Sequence, residues 1–139
     1  MKKFVFPILT IAFLCLALGS CGATEAAEKT VDTFYEILKS KNYDNIEALI
    51  DQEALTIDPI ETWQQILVNK ESMGDLESYS KDTGFNTSIN NGITTVKIDY
   101  TCEYTNGPIY EKFTLVDRGE GFKIRMYEYN VDKSALSAD

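Results

Sequence analysis

The chain has no histidine among its 139 residues. That removes the commonest general base, the usual zinc ligand and the standard Ser-His and Cys-His nucleophile systems. Basic residues are scarce as well: 13 against 22 acidic ones, a formal net charge of −9. Without a basic patch to neutralise phosphates, nucleic acid is not an expected partner, and an acidic domain is repelled by anionic lipid headgroups. Only three cysteines are present, Cys15, Cys21 and Cys102. No internal repeat or low-complexity segment is visible. The one long apolar run, Phe4 to Leu18 interrupted by Thr10, is too short and too closely followed by polar sequence for a spanning helix.

What is present begins with that run. Lys2 and Lys3 before it, and the small residues Gly19 and Ser20 after it, make residues 1–20 read as a secretory signal. Leu18-Gly19-Ser20-Cys21 resembles the lipobox of a bacterial lipoprotein precursor. That resemblance implies cleavage before Cys21, lipidation of its sulfur, and a membrane as the first partner. The alternative is ordinary cleavage near Ala23 or Ala27, with Cys21 discarded. Cysteine arithmetic supports the lipid. Cys15 leaves with the signal and Cys21 is modified, so Cys102 is left with no intramolecular partner in an oxidising compartment.

Losing Lys2 and Lys3 leaves 11 basic residues against 22 acidic, a net charge of −11. The domain is then held by its lipid and not by its surface charge. Residues 21–24 form a short tether with a reach of about 10–15 Å. Gly22 stands where enteric bacteria place the aspartate that retains a lipoprotein in the inner membrane. By that resemblance the protein is extracytoplasmic and anchored on the periplasmic side of the outer membrane in a diderm host.

Residues 25–130 read as one domain. Ala27, Val31, Phe34, Tyr35 and Leu38 recur at helical spacing, and the stripe ends near Ser40-Lys41-Asn42. A shorter second helix is expected to carry Ile46, Leu49 and Ile50. A third starts at Asp58-Pro59-Ile60-Glu61, with Asp58 as cap, Pro59 as first helical residue and Glu61 reaching back. Its buried stripe is Ile60, Trp63, Ile66 and Leu67, and Gly74 marks the break.

From Leu76 the period becomes two. A polar, poorly patterned first strand, Leu76 to Ile89, suits a sheet edge. Val96, Ile98, Tyr100, Cys102 and Tyr104 then alternate with Lys97, Asp99, Thr101 and Glu103. The next strand points Phe113 and Leu115 inward, and the last Phe122, Ile124 and Met126. Turns are marked by Asn90-Asn91-Gly92, Asn106-Gly107-Pro108 and Arg118-Gly119-Glu120-Gly121. Residues 131–139 are expected to be a frayed tail.

Helices followed by hairpin-linked strands predict an α+β domain, with N-terminal helices packed on a curved four-stranded antiparallel sheet. This order of elements, with a tryptophan in the third helix and an aromatic-rich last strand, resembles the NTF2-like (cystatin-like) superfamily, in particular its small secreted and lipoprotein branches. The resemblance implies a cone whose interior can hold a ligand. Phe34, Trp63, Tyr100, Tyr104, Met126 and Glu128 map onto that interior. Ketosteroid isomerase-like members use an acidic base and a tyrosine there, so Glu128 with Tyr100 or Tyr104 is the pair an enzyme would use. The same aromatics equally suit a small core.

No other pattern points to chemistry. Cys102 is in the buried phase of its strand, as an inert core thiol would be. Asp82-Thr83-Gly84 matches the aspartic protease tripeptide, but only once, and the dyad needs two. Asn86-Thr87-Ser88 fits a glycosylation sequon that means little beside a bacterial lipobox. Asp51, Glu53 and Asp58 lack calcium-loop spacing. The outward face, with Lys97, Asp99, Thr101, Glu103, Lys112, Lys123 and Arg125, is mixed in charge and predicts a monomer, Tyr127 and Tyr129 being its only expected interface seeds. The expected protein is a lipoprotein without cofactor or metal. It is a non-catalytic module for a protein partner in the envelope or, alternatively, a binder of a small apolar ligand.

Overall fold

In a computed structural model, which describes the backbone of residues 8–136 and the side chains of residues 22–136, the first helical stripe becomes the inner face of α1 (Ile8–Ser40). Ala27, Val31, Phe34, Tyr35 and Leu38 are all buried. The helix ends where Lys41 turns into the left-handed region (φ 56°) and its N–H reaches back to the Leu38 carbonyl at 3.3 Å. Gly22, Ala23 and Thr24, expected as an extended tether, are already helical, and Thr24 is buried. The side chain of Cys21 and residues 1–7 lie outside the described residues. No described helix is long and apolar enough to cross a membrane.

The expected second helix is a 3-10 helix, Tyr43–Leu49, which buries Ile46. It is followed by α2 (Gln52–Ile57), a single short helix with one buried residue, Ala54, and too few turns to leave a periodic signature. The third helix, α3 (Ile60–Lys70), begins one residue later than read. Pro59 takes the cap position without a side-chain hydrogen bond, and Asp58 closes α2 instead. Trp63 and Leu67 are buried as expected, with Ile60 and Ile66 half-buried.

Four strands form an antiparallel meander in the order β1 (Leu76–Asn90), β2 (Ile93–Tyr104), β3 (Gly107–Asp117) and β4 (Phe122–Asn130). The helices cover one face of this sheet, giving the α+β architecture, compatible with an NTF2-like fold. The alternation in β2 is as read: Val96, Ile98, Tyr100, Cys102 and Tyr104 are buried. Asn91 and Gly92 both have positive φ in the β1–β2 turn, as a tight hairpin requires. Gly74 (φ 85°) starts the run into β1, and a Cβ there would stand 2.8 Å from that of Thr105.

Two register shifts matter. In β1, Asp82, Thr83 and Gly84 bulge between the Lys81–Tyr100 and Phe85–Ile98 pairs. In β4, Leu115 pairs with Ile124 but Thr114 pairs with Met126, so Arg125 is an extra residue. One inserted residue reverses the phase of everything after it. Met126 and Glu128, expected inside, therefore face out, with Met126 51% exposed, while Tyr127 and Tyr129, expected outside, pack against the core. Residues 131–136, read as part of a frayed tail, make a short turn and side-chain contacts. Lys133–Ala135 forms a 3-10 turn whose Ser134 N–H is capped by Asp132, and Lys133 bonds to Asp82 at 2.6 Å.

Candidate functional site

Helix α3 repeats its buried face at Trp63, Leu67 and Lys70, and β3 repeats its own at Ile109, Glu111, Phe113 and Leu115. Each element thus carries one charge at a core position, and the two meet. Lys70 Nζ donates to Glu111 Oε1, and both side chains have no exposure at all. Removing a carboxylate and an ammonium from water costs several kcal/mol per ion, so such a pair persists only when fully satisfied.

The surroundings supply that satisfaction. Tyr104 Oη donates to Glu111 Oε1 and Tyr35 Oη to Oε2, each at 3.0 Å. The Lys70 ammonium lies over three tyrosine rings, 4.5 Å from the centroid of Tyr129, 4.9 Å from Tyr104 and 5.4 Å from Tyr127. Such contacts are worth most when desolvated. Tyr129 and Tyr127 reach the ammonium only because Arg125 is bulged out. The Tyr127 hydroxyl is buried beside Glu111 without a well-formed hydrogen bond.

Burial, and then the Glu111 charge, raise the ionisation of Tyr35, Tyr104 and Tyr127 well above the ordinary phenol value. The same two causes, in the same order, push the Cys102 thiol up, with its Sγ 3.2 Å from Tyr35 Oη. The phenols are thus held as donors and the thiol as a thiol. Glu111 is tied by hydrogen bonds to Lys70, Tyr35 and Tyr104, and the raised Cys102 thiol is no thiolate nucleophile at neutral pH. Sequence reading missed this cluster because a lysine at the end of an amphipathic helix and a glutamate in a strand normally face water.

Of the residues expected to line a ligand cavity, Phe34, Trp63, Tyr100 and Tyr104 are all buried in one cluster. Phe34 and Tyr100 pack on other side chains, while Tyr104 also borders the cleft described below. Phe34 meets Phe113 edge-on at 5.1 Å and Tyr127 at 5.0 Å, Tyr100 meets Phe113 at 5.8 Å, and Tyr35 stacks on Tyr79 at 4.0 Å. Met126 and Glu128 lie on the opposite face and join no such site.

Open space is found at the periphery. A cleft of about 350 Å³ opens between the end of α1 and the end of α3, with Tyr43 and Glu71 at its wall and Lys70 and Tyr104 at its inner limit. A wider groove of about 1020 Å³ runs between the outer face of α1, the 3-10 helix and the β3–β4 turn. Glu36, Asp44, Glu47 and Glu120 line it beside Ile37, Leu49 and Val116.

The other motifs are structural here. Asp51 is buried and bonded by Arg118 at 3.1 and 3.3 Å, and Glu53 binds both Arg118 (2.8 Å) and the bulged Arg125 (3.1 Å). Among the described residues no group of His, Cys, Asp and Glu side chains could hold a metal ion. Asp82 accepts from Thr101 and Lys133; burial pushes its carboxyl up, but these bonds outweigh it and leave it below the usual value. No family model matches the chain, and no curated protein matches it significantly.

Proposed function

We propose that the chain is a membrane-anchored, extracytoplasmic lipoprotein whose NTF2-like domain is a non-catalytic module that binds a protein partner in the cell envelope. One observation supports the module over a ligand carrier: Phe34, Trp63, Tyr100 and Tyr104 are buried in the core cluster, and the central charges Lys70 and Glu111 pair with each other. A partner then binds at the surface, where the groove beside α1 is lined by Glu36, Asp44, Glu47 and Glu120 together with Arg118, Lys123 and the partly exposed Leu49. The anchor rests on the order of Leu18, Gly19, Ser20 and Cys21 behind an apolar run.

Native mass spectrometry of residues 22–139, purified without detergent from a bacterial host, tests the module. The mass of the bare chain supports it, and a discrete, removable added mass assigns the domain to a small ligand instead. For the anchor, Cys21→Ala abolishes membrane fractionation and lipid labelling. Unchanged partitioning of that variant overturns the anchor alone.

A further inference from the structure

In a chain with 35 charged residues, the stretch from Thr83 to Val96 has none. It is the longest uncharged stretch after residues 4–24, and it forms the whole tip of the β1–β2 hairpin. Its polar members are Thr, Asn and Ser, and its apolar ones include two of the most exposed in the domain. Phe85 is 54% and Ile89 74% exposed. Both belong to the face of β1 that α1 covers further down, since Phe85 pairs with the buried Ile98 and Ile89 with Thr94.

The position of this tip follows from contacts between α1 and β1. Tyr79 Oη donates to Asp32 at 3.0 Å, and Lys81 pairs with Glu28. Going from the first contact to the second, α1 retreats four residues and β1 advances two, about 6 Å in each case. The two elements therefore run side by side and antiparallel. Cys21 is seven residues before Glu28, about 10 Å further along α1. Ile89 is opposite Thr94, six β2 residues beyond the partner of Lys81, about 20 Å further along the sheet. The hairpin tip thus passes the level of Cys21 by about 10 Å, on the same side of the domain.

We propose that the β1–β2 tip is a membrane-docking surface that inserts Phe85 and Ile89 into the interfacial layer beside the lipid on Cys21. The inference rests on the lipoprotein reading. A depth of about 5–10 Å is what an apolar interfacial face reaches. The hairpin tip itself carries no carboxylate to be repelled by anionic headgroups, the nearest at its level being Asp117 of β3, opposite Thr94. The lipid and the tip make two points of attachment, so the domain is held in one orientation rather than swinging on its anchor. The groove beside α1 would then be presented in a fixed direction.

The test uses the full chain, expressed with its leader and reconstituted into vesicles of phosphatidylethanolamine and phosphatidylglycerol in equal parts. An environment-sensitive fluorophore is placed on Ile89→Cys or, as a control, on Ile57→Cys, which is 76% exposed. The buried Cys102 does not compete for label in the folded protein. The expected result is a blue-shifted label at 89 that loses most of its emission to lipid-borne nitroxides, while the label at 57 responds only to aqueous quencher. A label at 89 that responds only to aqueous quencher, on protein that sediments with the vesicles, overturns the docking surface and leaves the anchor standing. Shielding from both quenchers, with the protein running as a dimer, assigns the tip to a second copy and also overturns it. Protein that does not sediment with vesicles overturns both readings.

Discussion

Lys70, from the last turn of α3, and Glu111, from the middle of β3, form an ion pair with no solvent exposure on either side chain. The pair joins the helical layer to the sheet at the centre of the domain. Its partners come from everywhere: Tyr35 from α1, Tyr104 from β2, Tyr127 and Tyr129 from β4. It is therefore a folding constraint as much as a contact, because it is satisfied only when all of these elements are in register.

Breaking the pair on one side leaves an uncompensated buried charge, which costs about 3–5 kcal/mol. Lys70→Met is expected to lose stability of that order in urea unfolding. Adding Glu111→Gln should restore part of it, since the neutral amide oxygen can still accept from the tyrosines. A Lys70→Met variant within about 1 kcal/mol of wild type, the value of a surface pair, contradicts this account.

The tyrosine hydroxyls divide by whether they make a well-formed hydrogen bond. Tyr35→Phe and Tyr104→Phe each remove a donor to a buried carboxylate, and a loss of about 1.5–3 kcal/mol is expected. Tyr127→Phe removes a buried hydroxyl without a well-formed bond and should leave stability unchanged or raised. Equal losses in all three variants are the outcome that excludes this division.

Alkaline pH should unfold the protein. Burial comes first among the causes raising Tyr43 and Tyr79 to about 12, followed by their bonds to Glu71 and Asp32. Tyr35, Tyr100, Tyr104 and Tyr127 are raised too, again chiefly by burial. A folded state whose groups have raised values binds more protons than the unfolded chain above pH of about 10. Stability is thus fully present below that pH and falls as pH rises through the folded values. Phenolate absorbance should appear together with the loss of secondary structure; six tyrosines titrating in the folded state near their ordinary value would refute it.

Gly74→Ala places a methyl group in a left-handed backbone position and 2.8 Å from the Thr105 Cβ. A cost of about 1–3 kcal/mol is expected. Gly84→Ala, with nothing within 4 Å of the added carbon and no left-handed φ, is the control. Comparable unfolding midpoints for the two variants would show that the turn into β1 relaxes freely.

Periodicity made most of the fold legible. The stripe Ala27, Val31, Phe34, Tyr35 and Leu38 and the alternation from Val96 to Tyr104 are strong because every member obeys one period over several turns or pairs. Helix α2 left no such trace, being under two turns long. The candidate site was legible only in part. Phe34, Trp63, Tyr100 and Tyr104 could be placed inside from their phase, but whether they enclose space or exclude it depends on how α1 and α3 seat on the sheet.

By itself the sequence determined the order of helices and strands, the tight turns, the acidic balance and the leader-like run ending at Cys21, because each is written in neighbouring residues. Tertiary structure alone decided the rest. The extra residue at Arg125 reversed the last strand, turning Met126 and Glu128 out and Tyr127 and Tyr129 in, and the salt bridge from Arg125 to Glu53 of α2 joins that bulge to the helical layer. Lys70 and Glu111, 41 residues apart, became a buried pair for the same reason. A charge can stay in a core only when its partner arrives from elsewhere in the chain, and no local pattern records that arrival.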